Sequence, residues 1–290
     1  MALKTIVGLD HVVAVTCDLA AAAERWRALG FTLSPRGVHS AKLGTANHTI
    51  MFGADYIELL GVVSPTDYNA PSRAFLERQG EGIERAALTT ADAAAGVAEI
   101  RALGFAGVGP VDFGRPVTLP GGSETQARFR VFLWPPEERP GGVRLFACQH
   151  VTPDAVFIPA LQAHANTAQR IVRMEIASPD PRADAEHLAR LIDGAAAEEG
   201  DGAFSVPSGG TRAPFVFLTR EALARRYPGV SLAGFPERGA AALAIAVTDL
   251  GAAARAAGPS GMKVGEAVCV APAEANGVLL CFVGETAGTA

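Results

Sequence analysis

The stretch "GLDHVVAVTCDLAAAAERWRALGF", residues 8 to 31, recurs without gaps as "GIERAALTTADAAAGVAEIRALGF", residues 82 to 105. Gly8, Thr16, Asp18, Ala20, Ala21 and the run Arg27 to Phe31 return at a constant offset of 74. Ala-rich helices agree easily by chance, but the Gly, the Asp and the closing "RALGF" do not. Each copy reads as a strand of alternating inward residues, an Asp helix cap (Asp18, Asp92), an amphipathic helix and a Gly stop at Gly30 or Gly104. The first helix, Asp18 to Leu29, should bury Ala22, Trp26 and Leu29, which share one stripe.

Further strands follow in both copies. "FTLSPRG", "NHTIMFG" and "YIELLGVV" come after Phe31, and "PVDFGRPV", "ARFRVFLW" and "GVRLFACQHV" come after Phe105. "VVSPTD" (62 to 67) matches "HVTPDA" (150 to 155) at an offset of 88. The repeated unit is therefore βαβββ. Two fainter copies begin at "RIVRMEIASPDPRADAEHLARLI" (170 to 192) and "AALAIAVTDLGAAARAAG" (241 to 258). The expected architecture is α+β, with tandem βαβββ modules paired into two half-barrels. Residues 1–158 form the first pair, 159–169 ("PALQAHANTAQ") a connector, and 170–290 a second, degenerate pair.

Composition fits that reading. The chain has 290 residues, 49% hydrophobic and 19% charged, enough for large buried cores. A net charge of -5 with scattered Lys and Arg gives no basic surface for nucleic acid. Cys17, Cys148, Cys269 and Cys281 form no CxxC, so neither a zinc ribbon nor a disulfide framework is indicated. No signal-peptide or membrane-length apolar run is visible, and a cytoplasmic setting is expected.

The first strand raises a chemical question. If Val13 and Val15 point inward, so does His11, because residues two apart share a face. A core histidine with both nitrogens satisfied is the plain alternative to a functional one. Glu58, in "YIELLG", sits among Ile57, Leu59 and Leu60, where a carboxylate is costly unless paired or metal-bound. Two such groups are most economical facing each other, as a salt bridge or as metal ligands.

The repeated unit resembles the module of the vicinal oxygen chelate superfamily, and specifically its glyoxalase-like members. The resemblance rests on "LDHVVAVTCDLAAAAERWRALGF", "GTAN" (44 to 47), "YIELLGV" (56 to 62), "QHVTPDAVF" (149 to 157) and "HAN" (164 to 166). It implies paired modules curved around a divalent metal, with ligands from the first and last strands of each module. His11 and Glu58 fall on the first module's ligand positions, and Zn, Mn, Fe or Ni would suit them. The second module departs from the pattern, with Arg85 at the position of His11 and Phe146 at that of Glu58. Arg85 would either neutralise Glu58 or meet a carboxylate or enolate of the ligand.

The remaining candidates are weaker. Asn47, His48, Arg144, Cys148 and His164 are candidate substrate contacts, as is Arg85. His150 is a candidate general base, although about 13 Å of strand separates it from Phe146. His39 sits in a loop that could close over a cavity. Cys148 reads as a small buried hydrophobe more than as a nucleophile. The third and fourth modules offer only Arg173, Ala242 and Cys281, so the site belongs in the N-terminal half. That leaves the C-terminal half for packing or self-association as a homodimer. Two functions follow: a metal-dependent lyase, isomerase or dioxygenase acting on a small oxygen-bearing substrate, or a metal-free small-molecule binding protein of the drug-sequestering kind.

Overall fold

A computed structural model describes residues 3–285 apart from 120, 232 and 234. The repeat is visible in its strand order. The first module runs β1 (Ile6–Thr16), α1 (Leu19–Ala28), β2 (Gly37–Val38), β3 (Thr45–Met51) and β4 (Tyr56–Val62). After an inserted helix, α2 (Ala70–Gln79), the second module repeats it as β5 (Gly82–Thr90), α3 (Ala93–Ala102), β6 (Val108–Thr118), β7 (Glu124–Leu133) and β8 (Arg144–His150). These eight strands form one sheet in the order β2-β3-β4-β1-β5-β8-β7-β6.

The later half uses the same plan. Its strands are β9 (Ala168–Ala177), β10 (Ala197–Glu198), β11 (Phe204–Val206), β12 (Phe215–Leu218), β13 (Gly239–Val247), β14 (Gly261–Val264), β15 (Ala267–Val270) and β16 (Leu279–Gly284). Its helices are α4 (Pro181–Leu191), α5 (Arg220–Arg226) and α6 (Leu250–Ala257). The second sheet is ordered β10-β11-β12-β9-β13-β16-β15-β14, the first order repeated. The chain is α+β, as its sequence predicts. No helix among the described residues is long and apolar enough to cross a membrane.

Local sequence accounts for the elements. Asp18 and Asp92 each accept two backbone N–H groups at the start of α1 and α3, which removes orphan donors from the first turn. Ala22, Trp26 and Leu29 are buried, as the helical stripe requires. One expected strand shrinks: "FTLSPRG" is irregular up to Arg36, and only Gly37 and Val38 pair with β3. Pro35 has no N–H for a ladder and disfavours a continuous strand there.

The helices α1, α3, α4 and α6 lie between the two sheets and share one core, which runs from Trp26 and Phe31 to Ile176 and Phe282. Trp26 Nε1 donates to Asn276 Oδ1 of the opposite half at 3.0 Å, and Trp134 Nε1 donates to the Leu191 carbonyl at 3.0 Å. Each sheet's other face is concave. In the first half the edge strands β2 and β6 approach each other, so the sheet almost closes. In the second half the concave side is filled by Leu223 of α5, with Tyr227 and Phe235, packed against Ala242, Cys269 and Cys281.

Candidate functional site

Strand pairing places four positions in the middle of the first concave face. Val13 pairs with both Glu58 and Arg85, while His11 pairs with Ala87, which in turn pairs with Phe146. His11 and Arg85 are thus equivalent across the repeat, and so are Glu58 and Phe146. Around them lies a cavity of about 220 Å³. It is lined by His11, His39, Asn47, Glu58, Arg85 and Arg115, with Tyr56 and a wall of Phe113, Phe129 and Phe146.

The decisive local feature is a β-bulge. Leu9 pairs with Leu88 and His11 with Ala87, so two steps on β1 face one on β5 and Asp10 is the extra residue. The bulge breaks the alternation that would turn Asp10 away. Its carboxylate, fully buried, meets His11 Nδ1 at 2.6 Å, His150 Nε2 at 2.8 Å and Thr89 Oγ1 at 2.7 Å. Burial works to raise the Asp10 carboxyl, but the hydrogen bonds and charges of His11 and His150 outweigh it and hold it well below the usual carboxylate range. An ionised Asp10 can only accept, so both imidazoles donate to it.

With Nδ1 carrying its proton, His11 presents Nε2 to the cavity, 3.8 Å from Glu58 Oε2. Tyr56 stacks on the imidazole at 4.2 Å and fixes its plane. Glu58 Oε1 accepts from Asn47 Nδ2 at 2.7 Å. Burial would raise the Glu58 carboxyl, yet His11, His39, Arg85 and the Asn47 amide together keep it below its ordinary value. Arg85 donates through Nη1 to Glu84 and to Ser72 Oγ on α2. Arg144 is committed elsewhere: its Nε and Nη2 both reach Glu84, whose carboxyl is brought down to about 2 by the two arginines against its burial.

The other candidates part ways. Asn47, Arg85, Arg144 and Cys148 line the cavity. Burial pushes the Cys148 thiol up, with Asp10 and Glu58 adding to it, which disfavours the thiolate that a nucleophile needs. His48 alternates to the opposite face of β3, where Nδ1 meets the Ser34 carbonyl at 2.8 Å, so it is not a cavity contact. His164 is a tie between segments: Nδ1 accepts from Thr32 N–H and Nε2 donates to the Met51 carbonyl, between Phe31 and Phe52. His150 stands behind Asp10, packed against Tyr56, Phe129 and Phe157, and does not line the cavity. The expectation of a base at His150 therefore meets a residue turned to Asp10. Sequence reasoning missed Asp10, which only the bulge brings inward, and Arg115, which sits in the quoted strand "PVDFGRPV" among polar and apolar neighbours with nothing there to mark its face.

The family model of the glyoxalase-like domain matches residues 9–192. The chain belongs to the glyoxalase-like domain family. Among solved structures, this glyoxalase-like chain is similar to a hypothetical protein from Staphylococcus aureus, with a TM-score of 0.68, 15% identity, and coverage of 95% of this chain and 98% of that one. A xylose isomerase-like TIM barrel/4-hydroxyphenylpyruvate dioxygenase fusion protein gives 0.63 at 16% identity, over 100% of this chain and 51% of the other. A mutant of 4-hydroxymandelate synthase from Streptomyces coelicolor gives 0.60 at 12% identity, over 97% and 93%. At these identities the likeness is one of fold, that of the vicinal oxygen chelate superfamily. No curated protein sequence matches the chain.

The metal implied by that superfamily can be tested against the donors present. Of the four ligand positions, two hold His11 and Glu58, one holds a permanently charged guanidinium and one a phenyl ring. Among the described residues no group of three His, Cys, Asp or Glu side chains converges to hold a metal ion. Two donors beside a fixed cation do not fit a tightly held divalent metal.

Proposed function

We propose that this glyoxalase-like protein is an enzyme of the isomerase or lyase type. It would move a proton at a carbon next to a carbonyl in a small oxygen-bearing substrate, bound in the N-terminal cavity. One observation carries the reading: Asp10 holds the proton of His11 on Nδ1, so that Nε2 faces the cavity as a base. In the step, the substrate C–H bond breaks and His11 Nε2 takes the proton. The electron pair moves onto the carbonyl oxygen, giving an enolate. Asp10 and Glu58 stabilise the imidazolium from either side. The Nη2 of Arg85, for which the described residues provide no hydrogen bond, would meet the oxyanion. Return of the proton to the same or a neighbouring carbon closes the cycle without an oxidant or reductant.

The test is proton exchange. Wild-type protein incubated in D₂O with a panel of small ketones, oxo acids and aldehydes should remove the NMR signal of the C–H beside the carbonyl in at least one of them. His11→Gln should slow this by roughly 10²–10⁴, the range a general base supplies, in a chain whose melting curve remains cooperative. Exchange that is as fast in His11→Gln as in wild type would sink the proposal. One metal per chain, bound from Zn, Mn, Fe or Ni and lost in His11→Ala and Glu58→Gln, would return the site to the metal chemistry of the superfamily.

A second reading has an observation of its own. The apolar wall of Phe113, Phe129 and Phe146 would suit a protein that binds and sequesters a small molecule. Ligand binding with no exchange on any substrate would favour it.

A further inference from the structure

The carboxylates of the site are already answered. Asp10 receives His11, His150 and Thr89; Glu84 receives Arg144 and one edge of Arg85; Glu58 has His11 and Asn47. Arg115 stands apart. It lines the cavity, is half-buried, and among the described residues its guanidinium makes no hydrogen bond or ion pair. A guanidinium carries five N–H donors in a planar fork, shaped for a carboxylate. Withdrawing it from water without an anion costs free energy that an anionic ligand would recover.

Its surroundings narrow the ligand further. Arg115 comes from β6, two residues beyond Phe113, so both side chains point to the same side of that strand. Phe113 stacks on Phe129 at 5.0 Å, and Val131 and Leu133 continue this wall along β7. Across the narrow gap between the edge strands, Gly37 leaves room where a Cβ would lie 3.2 Å from Arg115 Nη1 and 2.4 Å from Asn47 Oδ1. That Asn47 oxygen is buried and has no donor, because the amide nitrogen is spent on Glu58. It makes no hydrogen bond to Arg115, whose fork is left for a ligand. The volume, about 220 Å³, lies below that of pockets for drug-sized molecules and suits a small acid.

We infer that the substrate is a small carboxylic acid with an apolar body, whose carboxylate is held by Arg115 while the body lies on the Phe113–Phe129 wall. This deepens the proton-transfer reading and rests on it for the position of the reacting end, toward His11. Arg115 then sets specificity, choosing acids over their neutral counterparts and fixing the distance between the carboxylate and the reacting carbon. It is distinct from Arg85, which stands next to Glu58 and the base.

The probes are 4-methylpentanoate and 3-phenylpropanoate, each against its primary amide, measured by calorimetry and by the shift of the melting temperature at millimolar ligand. The acids should bind and the amides should bind at least tenfold more weakly. Arg115→Gln should weaken the acids at least tenfold, Arg115→Lys should retain part of the binding, and both should melt like wild type without ligand. Amides that bind as well as acids, or an Arg115→Gln variant that binds acids like wild type, would overturn the inference. His11→Gln keeps the anchor and should still bind the acids, which separates the two readings. Acid binding through Arg115 with no proton exchange on any substrate would leave the inference standing and remove the proposed reaction. Exchange on a neutral ketone with no preference for acids would do the reverse.

Discussion

Asp10 is the residue on which the site turns, and its sequence context hides it. In an alternating strand, Asp10 and His11 belong on opposite faces; the unpaired step at the bulge lets the Asp10 carboxylate reach the ring of His11, which lines the cavity. His11, Glu58 and Arg85 were legible because each is a polar group in an apolar strand. His48 was not, because strand parity is ambiguous in "NHTIMFG" until its partner is known. Asp10→Asn puts an amide where two imidazoles and a hydroxyl all donate, so at least one donor loses its acceptor. The variant should lose about 2–4 kcal/mol of stability, read by urea unfolding. It should also lose a factor of roughly 10²–10⁴ in proton exchange, because His11 can then carry its proton on the wrong nitrogen. Acid sensitivity follows from the same buried carboxylates. Glu84 titrates near 2 in the folded chain against about 4.3 when unfolded. Its stabilisation is therefore complete above roughly pH 5 and is lost as the pH falls toward 2. Glu84→Gln should flatten the acid limb of stability between those limits, while lowering stability at neutral pH.

At the scale of elements, the repeat was the legible part. Strand, Asp cap, Ala-rich helix and Gly stop recur in α1 and α3 because each solves the same local problem of orphan N–H groups and chain reversal. Asp18→Ala and Asp92→Ala should each cost about 1 kcal/mol, and the double variant should show the sum, since the two caps serve separate helices. Elements outside the repeat, such as α2 and α5, carried no periodic partner to reveal them, yet α2 brings Ser72 to Arg85 and α5 fills the second concave face. Gly8 shows why the repeat opens on glycine: its φ is +141°, and a Cβ there would stand 2.6 Å from the Gly209 carbonyl oxygen. Gly8→Ala should therefore destabilise by about 2 kcal/mol or more, seen as a lower melting temperature.

Over the whole molecule, two sheets of identical strand order have diverged, one keeping a cavity and the other closing it with its own side chains. The asymmetry has a trace in the sequence, since Ala242 stands where the first half has Arg85 and Cys281 where it has Phe146. The docking of the halves has none, because the shared core and the polar contacts that accompany it join segments distant in sequence. Asp55, in the turn between β3 and β4, makes one of these contacts: Oδ1 accepts the backbone N–H of Ile171 on β9 at 3.1 Å. Burial lifts its carboxyl to about 7, against the opposing effects of the Ile171 N–H and of Arg212 and Arg170. The folded chain thus holds this proton more tightly than the unfolded chain, whose Asp titrates near 3.9. Its contribution is complete below about pH 4 and is lost as the pH rises through 7, a change of about 2–4 kcal/mol. Asp55→Asn keeps the acceptor for Ile171 and never ionises. Its melting temperature should match wild type near pH 4, exceed it increasingly up to pH 7, and keep a constant lead above that. A difference that stays flat from pH 4 to pH 8 would show that Asp55 remains charged between the halves.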